Sequence, residues 1–145
     1  MLSLKLNIVF LAIMSLAFSK SYSIDGDLNG KIFYGKATEI ISSDVDRMPL
    51  VIEETISFQN GKIDSEILKE YSVSDCNYYS EIDGRRAIAF TVVEFNISAK
   101  GQVGGREAAI DFSGEVIGYV RLVGTIVIRY SDNTEVRYSV QAQSN

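Results

Sequence analysis

The chain has 145 residues, a formal net charge of −5, one cysteine and no histidine. Without histidine it cannot assemble a Ser–His or Cys–His catalytic pair, and a single thiol allows neither an internal disulfide nor an ordinary zinc site. The acidic balance repels phosphate backbones, so we expect no nucleic acid among its partners.

The stretch from Met1 to Ser23 has the composition of a secretory signal peptide. Lys5 supplies the positively charged start, a largely apolar run follows it, and small residues come next. The apolar run is shorter than the roughly 20 residues that a membrane-spanning helix needs. We therefore predict cleavage before Lys20 or Ile24, a periplasmic or secreted location, and membrane contact only through the signal peptide.

Loss of this signal peptide, residues 1–23, would make the protein more acidic. The segment contains Lys5 and Lys20 and no acidic residue, so 12 basic and 19 acidic residues remain, a net charge of −7. The remaining residues, 24–145, are enough for a single domain with a hydrophobic core.

The first half of this domain predicts strands joined by polar turns. We expect strands over residues 32–41 and 51–58, followed by a hairpin turn at Asn60-Gly61, because this dipeptide accepts the positive φ angles of a type I′ turn. Residues 63–71 fit two structures. Their apolar residues recur every four positions, as in a short helix, but we favour an irregular third strand.

Two further strands are predicted before the last third of the chain. The fourth covers residues 77–82 and ends at the Asp83-Gly84 turn, and the fifth covers residues 86–98. The apolar side of the fifth strand changes between Val92 and Val93, and we attribute this to a β-bulge. The glycine-rich residues 100–106 predict a loop.

The last three strands lie between Glu107 and Gln143 and alternate apolar with polar residues at a period of two. Successive side chains of a strand point to opposite faces, so this pattern predicts a sheet with one apolar face. The short links between the strands indicate antiparallel neighbours. The apolar side comprises Ile110, Phe112, Val116, Val120, Leu122, Ile126, Ile128, Tyr130, Val136, Tyr138 and Val140.

Eight short strands with hairpin links, and no proline inside any of them, predict an all-β fold. We favour an eight-stranded antiparallel up-and-down (meander) barrel, which leaves no edge strand exposed. Gly114 and Gly124 lie on the apolar side in mid-strand, where glycine permits sharp coiling or leaves internal room. An open sandwich, in which these glycines only weaken their strands, is the alternative.

The region from about Ile56 to Tyr138 resembles a group of small secreted bacterial lipocalin-like (calycin) barrels. The resemblance implies a β-barrel fold and a ligand cavity, and it carries no catalytic residue. The matching residues are Ile56-Ser-Phe-Gln-Asn-Gly61, Ser65, Glu70-Tyr-Ser-Val73, Tyr78, the Asp83-Gly84 turn before Ala89-Phe90, Gly114-Glu-Val-Ile-Gly118 and Gly124, with Leu28-Asn-Gly-Lys-Ile-Phe33 similar to the start of the first strand.

Few residues point to chemistry. Residues 25–32 match the start of an EF-hand calcium loop, but a lysine stands where the twelfth position requires a bidentate glutamate. Asp64, Glu66 and Glu70 could pair for acid–base work, although a solvated acidic face explains them more simply. Cys76 fits a small buried hydrophobe. We expect no enzymatic activity, no cofactor and no metal.

The leading functional hypothesis concerns the barrel interior. In an eight-stranded barrel the interior is either filled by side chains or just wide enough for one small ligand. We expect a non-enzymatic barrel that binds a small apolar molecule. Its lining would comprise Phe90, Phe112, Leu122, Ile126 and Tyr138.

Two alternatives stay open at this stage. One is a structural or interaction module with a filled barrel, whose acidic surface would contact an unknown protein partner. The other is an eight-stranded outer-membrane barrel, because alternation alone does not say whether the apolar face points inward or outward.

Overall fold

The computed structural model describes residues 28–83 and 91–145, and these form an all-β barrel. The predicted signal peptide, residues 25–27 of the calcium-like segment, Gly84 of the predicted turn and residues 86–90 of the predicted fifth strand, including Phe90, lie outside the described residues. The elements are β1 (Lys31–Glu39), β2 (Val51–Gln59), β3 (Lys62–Asp64), α1 (Glu66–Glu70), β4 (Cys76–Asn77), β5 (Tyr79–Ile82), β6 (Val92–Val103), β7 (Arg106–Ile117), β8 (Arg121–Tyr130) and β9 (Glu135–Gln143).

The nine strands form one antiparallel sheet in the order β4-β3-β2-β1-β9-β8-β7-β6-β5. The first strand pairs with the last, Tyr34 lying opposite Gln143. The two ends of the sheet, β4 and β5, are separated only by Tyr78, so one continuous segment connects them. The sheet therefore curls into a nearly closed up-and-down barrel, compatible with a calycin-like fold.

The described strands number nine, whereas the sequence predicts eight. The predicted fourth strand, residues 77–82, is divided because Cys76–Asn77 pairs with β3 whereas Tyr79–Ile82 pairs with β6. Tyr78 stands between the two and donates its backbone N–H to the carbonyl of Gly61 at 3.2 Å. A segment that changes partner cannot keep a single hydrogen-bond ladder, so it divides at this residue.

The predicted bulge at Val92-Val93 is wrong. The register between β6 and β7 is continuous along the whole of β6. Both valines are buried, but only Val93 belongs to the central core cluster. The apolar pattern changes side here because Val92 is buried away from that cluster whereas Val93 lies within it.

The predicted loop over residues 100–106 is also wrong, because β6 and β7 extend through most of it. Only Gly104 and Gly105 connect the two strands, and their φ angles are 54° and 77°. Two residues with positive φ form the tight hairpin that suits the right-handed twist of paired strands, and glycine adopts these angles without strain. The glycines therefore indicate a two-residue turn.

Residues 66–70 form a short helix where we favoured a strand. Ser65 caps it, since its hydroxyl accepts a hydrogen bond from the backbone N–H of Leu68 at 3.2 Å. Ile67 and Leu68 are buried in the core. The spacing of four between apolar residues therefore reflects a helical turn packed onto the barrel.

The apolar side of the last three strands faces inward, as the alternation predicts, except for Val120, which precedes β8 and is 60% exposed. Edge-to-face aromatic contacts cross the interior, with ring centroids 6.1 Å apart for Phe33–Phe58, 5.3 Å for Phe58–Phe95 and 5.2 Å for Phe95–Phe112. This geometry is the one that aromatic rings prefer. One continuous core thus joins both halves of the barrel.

Gly114 and Gly124 lie opposite each other on β7 and β8. A Cβ atom on Gly114 would lie 2.5 Å from the carbonyl oxygen of Val123 and 2.9 Å from the ring of Phe95. The pair therefore allows the strands and the aromatic rings to approach closely, and inside the barrel it leaves no room at this position for a ligand.

Candidate functional site

The predicted ligand-binding residues that are described all lie in the core. Phe112, Ile126 and Tyr138 are neighbours across β7, β8 and β9, and Leu122 lies on the same inner side. Phe112, Leu122 and Ile126 have no surface that a water-sized sphere can reach, and Tyr138 is 7% exposed. Because no water-sized void borders the first three, side chains fill the interior around them. Their role in ligand binding stays a prediction.

Glu54 is an acidic residue on the inner side of β2, and only 2% of its surface is exposed. One carboxyl oxygen, Oε1, accepts a hydrogen bond from the backbone N–H of Ile67 at 2.7 Å. The other, Oε2, is buried without a hydrogen-bond partner in the described part of the chain. Native proteins seldom leave a buried polar atom unsatisfied, so this carboxyl group is the first candidate for a functional role.

Burial raises the pKa of Glu54 to about 7 from the ordinary value of 4.5. The hydrogen bond from the Ile67 backbone and the nearby Ser65 hydroxyl and Glu66 backbone N–H act in the opposite direction, and the negative charge of Glu66 raises the pKa further. Removal from water disfavours the ionised form, and here this effect is the largest. The carboxyl group is therefore largely neutral in mildly acidic solution.

The sequence contains the signal for Glu54, although we missed it. Residues 52, 54, 56 and 58 share one side of the predicted second strand, and three of them are isoleucine or phenylalanine. An acidic residue at an apolar position of a strand predicts a buried carboxyl group. Whether each oxygen of the Glu54 carboxyl finds a hydrogen-bond partner depends on the distant helix α1. The alternation of apolar and polar residues gives no information about such a contact.

The segment of residues 65–73, which contains α1, covers one end of the barrel, and we call it the plug. The backbone N–H of Gln102 donates to the carbonyl of Tyr71 at 2.9 Å, and the hydroxyls of Tyr71 and Tyr130 form a hydrogen bond. A Cβ atom on Gly101 would collide with the Tyr71 carbonyl. The glycine therefore lets the plug lie directly against β6.

A groove of about 920 Å³ crosses the outer surface of β1, β9 and β8. Tyr34, Gln143 and Arg121 form one row across it, because each lies opposite the next in the register. Neighbouring strands are about 4.8 Å apart, so the row from Tyr34 to Arg121 spans roughly 10 Å. The polar part of the lining comprises Tyr34, Lys36, Thr38, Glu39, Arg121, Ser139, Gln141 and Gln143.

The groove continues toward the loop between β1 and β2, which an ion pair fixes. The two terminal guanidinium nitrogens of Arg47 donate to the carboxylate of Glu39, at 2.7 and 2.6 Å, and the backbone N–H of Leu50 adds a bond at 3.0 Å. These bonds lower the pKa of Glu39 to about 2, the Arg47 hydrogen bond being the largest cause. Met48 and Leu50 are exposed on the same loop.

Comparison with known proteins identifies no relative. No protein-family model matches the chain, and no curated protein and no solved structure is significantly similar to it. Among residues 28–83 and 91–145, no helix has both the length and the apolar character needed to cross a membrane. The function therefore has to be argued from the geometry of the residues themselves.

The three acidic residues considered for acid–base work do not form a paired site. Lys69 binds Asp64 and Glu66 at 3.5 and 3.2 Å, and all three side chains are about half exposed. Glu70 is exposed at the end of α1. These contacts fit a solvated charged surface, where an ion pair contributes little to stability.

Cys76 is half-buried at the start of β4, and burial raises the pKa of its thiol. A thiol in that state is a weak nucleophile because the thiolate is the reactive form. Asn29, from the calcium-like segment, accepts the backbone N–H of Asn60 at 2.8 Å through its side-chain oxygen. Within the described ranges, no cluster of three or more acidic, cysteine or histidine side chains could hold a metal ion.

Proposed function

We propose that this protein is a secreted or periplasmic, non-enzymatic, lipocalin-like barrel that recognises its ligand through the outer groove. The observation that carries this proposal is the filled core. Phe112, Leu122 and Ile126 have no accessible surface, whereas the groove presents polar and aromatic side chains to solvent. The signal-peptide-like residues 1–23 support export of the chain.

The lipocalin-like part of the proposal concerns the strand count. Because β4 and β5 are consecutive parts of one segment, they can be counted as one interrupted strand. The barrel then has eight strands, the number found in lipocalins. The pairing of the first strand with the last supports the same comparison.

The charged side chains on the outside of the barrel favour a barrel surrounded by water over one that spans a membrane. Arg129 binds Asp111 at 2.6 Å and Glu135 at 3.0 Å across the outer side of three neighbouring strands. Charged side chains on a lipid-facing wall would be costly near the middle of a bilayer. Most apolar residues of the described strands point inward, where they form the core, although a few such as Ile32 and Val51 are exposed.

The lining of the groove favours an acidic oligosaccharide as ligand. The amides of Gln141 and Gln143 can donate and accept hydrogen bonds, as sugar hydroxyls require. Arg121 adds a guanidinium group, which binds carboxylates in a bidentate manner. Tyr34 is 47% exposed and offers a ring face. A site that combines an aromatic surface with a few polar groups is typical of small-ligand recognition.

Titration calorimetry with a panel of acidic and neutral oligosaccharides tests this proposal. We expect saturable binding of an acidic member, weakened about tenfold or more by Tyr34→Ser or Arg121→Gln, since a good anchor contributes more than about 1.4 kcal/mol. Tyr79→Ser is the matched control, because Tyr79 is 54% exposed and lies on β5, outside the groove. Equal affinities for the wild type and the three variants, or no binding to the panel, would refute ligand binding in the groove.

A small apolar ligand in the interior is the second candidate function. The observation that favours it is the short α1, which covers the apolar core at one end and rests on Glu54, whose Oε2 has no hydrogen-bond partner among the described residues. Titration with an environment-sensitive fluorescent lipid analogue tests it. Saturable binding that protects the Ile126 amide from hydrogen exchange would support it, and non-saturable binding would remove it.

A further inference from the structure

The plug, residues 65–73, is joined to the barrel by apolar packing and a few polar contacts. Ile67 and Leu68 are buried in the core, and Val73 lies beside Gly101. At one end the N–H of Ile67 binds the carboxyl of Glu54. Its other end is held by the bonds of Tyr71 described above. Short segments with few contacts open at lower free energy than the surrounding sheet.

The contact with Glu54 differs from the other polar contacts of the plug because it changes with protonation. A neutral carboxyl needs few hydrogen bonds, whereas a carboxylate offers about four acceptor sites that water would otherwise occupy. In the closed barrel Glu54 has the Ile67 N–H on one oxygen and no partner for the other among the described residues. Its ionised form is therefore poorly solvated there.

Among the described residues, no cation compensates such a charge. Across the sheet, the residue opposite Glu54 on β1 is Gly35, which has no side chain. From α1, the facing charge is the acidic Glu66, which disfavours a second negative charge. Within residues 28–83 and 91–145, Glu54 forms no salt bridge, and Lys69 is engaged by Asp64 and Glu66.

We propose that protonation of Glu54 controls the plug: the plug is seated while the carboxyl is neutral, and it leaves the barrel end when the carboxyl ionises. Movement of α1 admits water to Oε2 and relieves the desolvation of the charge. The same movement withdraws Ile67 and Leu68 and opens a path to the apolar interior. The device is independent of the outer groove.

The size of the effect follows from the protonation equilibrium. Take a pKa of about 7 in the closed barrel and 4.5 in the open one. Opening of the plug then becomes roughly 30-fold more frequent between about pH 5.5 and about pH 8.5. Hydrogen exchange at the Ile67 and Leu68 amides measures this opening once the intrinsic pH dependence of exchange is removed.

The experiment compares the full-length protein with Glu54→Gln and Glu53→Gln. Glu53 is the matched control, because it precedes Glu54 on β2 and points outward with its side chain 81% exposed. We expect the protection of the Ile67 and Leu68 amides to fall roughly 30-fold with rising pH in the wild type and in Glu53→Gln, and to stay constant in Glu54→Gln. The amides of the β7–β8 core should keep their protection in all three.

The wild type alone keeps the proposal falsifiable if Glu54→Gln does not fold. Constant protection of the plug between the two pH values would overturn it. So would a loss of protection shared equally by the plug and by Phe112 and Ile126, because that pattern reports global unfolding. A carboxyl ¹³C resonance of Glu54 that titrates together with the plug amides would support it.

Discussion

Replacing Glu54 by glutamine is expected to remove a pH dependence from the stability of the whole domain. The pKa of this carboxyl is about 7 in the folded protein and 4.5 for an ordinary glutamate. The difference corresponds to roughly 3 kcal/mol, at about 1.4 kcal/mol for each pKa unit. The group is almost fully buried, so solvent screening reduces this value little.

The sign follows from which state ionises first. Below pH 4.5 the carboxyl is neutral in both the folded and the unfolded chain, and its full contribution to stability is present. As the pH rises from 4.5 through about 7, the unfolded chain ionises while the folded one stays neutral, so the free energy of unfolding falls. Above that range the contribution is lost, unless opening of the plug relieves part of the penalty.

Urea denaturation at several pH values between about 4 and 9 measures the effect. The carboxamide of Glu54→Gln can still accept the N–H of Ile67, but its amino group lacks a partner, which costs about 1–3 kcal/mol at every pH. We expect the variant to be less stable than the wild type in acid and to approach or exceed it above neutrality. A wild type whose pH profile matches that of Glu54→Gln would refute the reasoning, and Glu53→Gln should follow the wild type.

Three other predictions concern single residues elsewhere in the described chain. Gly114→Ala should destabilise the domain by about 1–3 kcal/mol in urea denaturation, because the added Cβ would lie 2.5 Å from the Val123 carbonyl oxygen. In acid, Glu39 should stay ionised down to about pH 2, because its pKa is lowered to that value. The hydrogen-exchange protection of the Leu50 amide should therefore survive to that pH in the wild type. Glu39→Gln should reduce this protection at all pH values. Cys76 should react with iodoacetamide more slowly than an unfolded thiol at mildly alkaline pH and at the unfolded rate in denaturant, because burial raises its pKa.

Each of these has an outcome that contradicts it. A Gly114→Ala protein as stable as the wild type would mean that β7 and β8 do not approach as closely as described. Loss of Leu50 protection near the ordinary pKa of glutamate would mean that the Arg47 pair does not form in solution. Equal reaction rates of Cys76 in the folded and denatured chain would place the thiol at the surface.

The last three strands could be predicted from sequence because each has one face in the core and one in solvent. The period of two in Ile110, Phe112 and Val116 reports this directly. The same rule fails at Val92, which is buried although it lies outside the core cluster. Alternation identifies one buried side and gives no information where both sides are covered.

Other features depend on partners that are distant in the chain. Tyr78 divides a strand only because the residues before it pair with β3 and those after it with β6. The helix after Ser65 has a local signal that we did not use, an N-cap serine. Glu54 could have been placed inside from its parity, but the hydrogen bond from Ile67 and the unpaired oxygen depend on how α1 packs.

The pairing of β1 with β9 has a consequence for how the chain matures. Tyr34 finds its cross-strand neighbour Gln143 only after more than 100 further residues have been made. Such long-range pairing slows folding, because a large loop must close before the contact forms. A nascent chain would therefore remain without its closing ladder through nearly all of its synthesis, which suits the export that we propose for it.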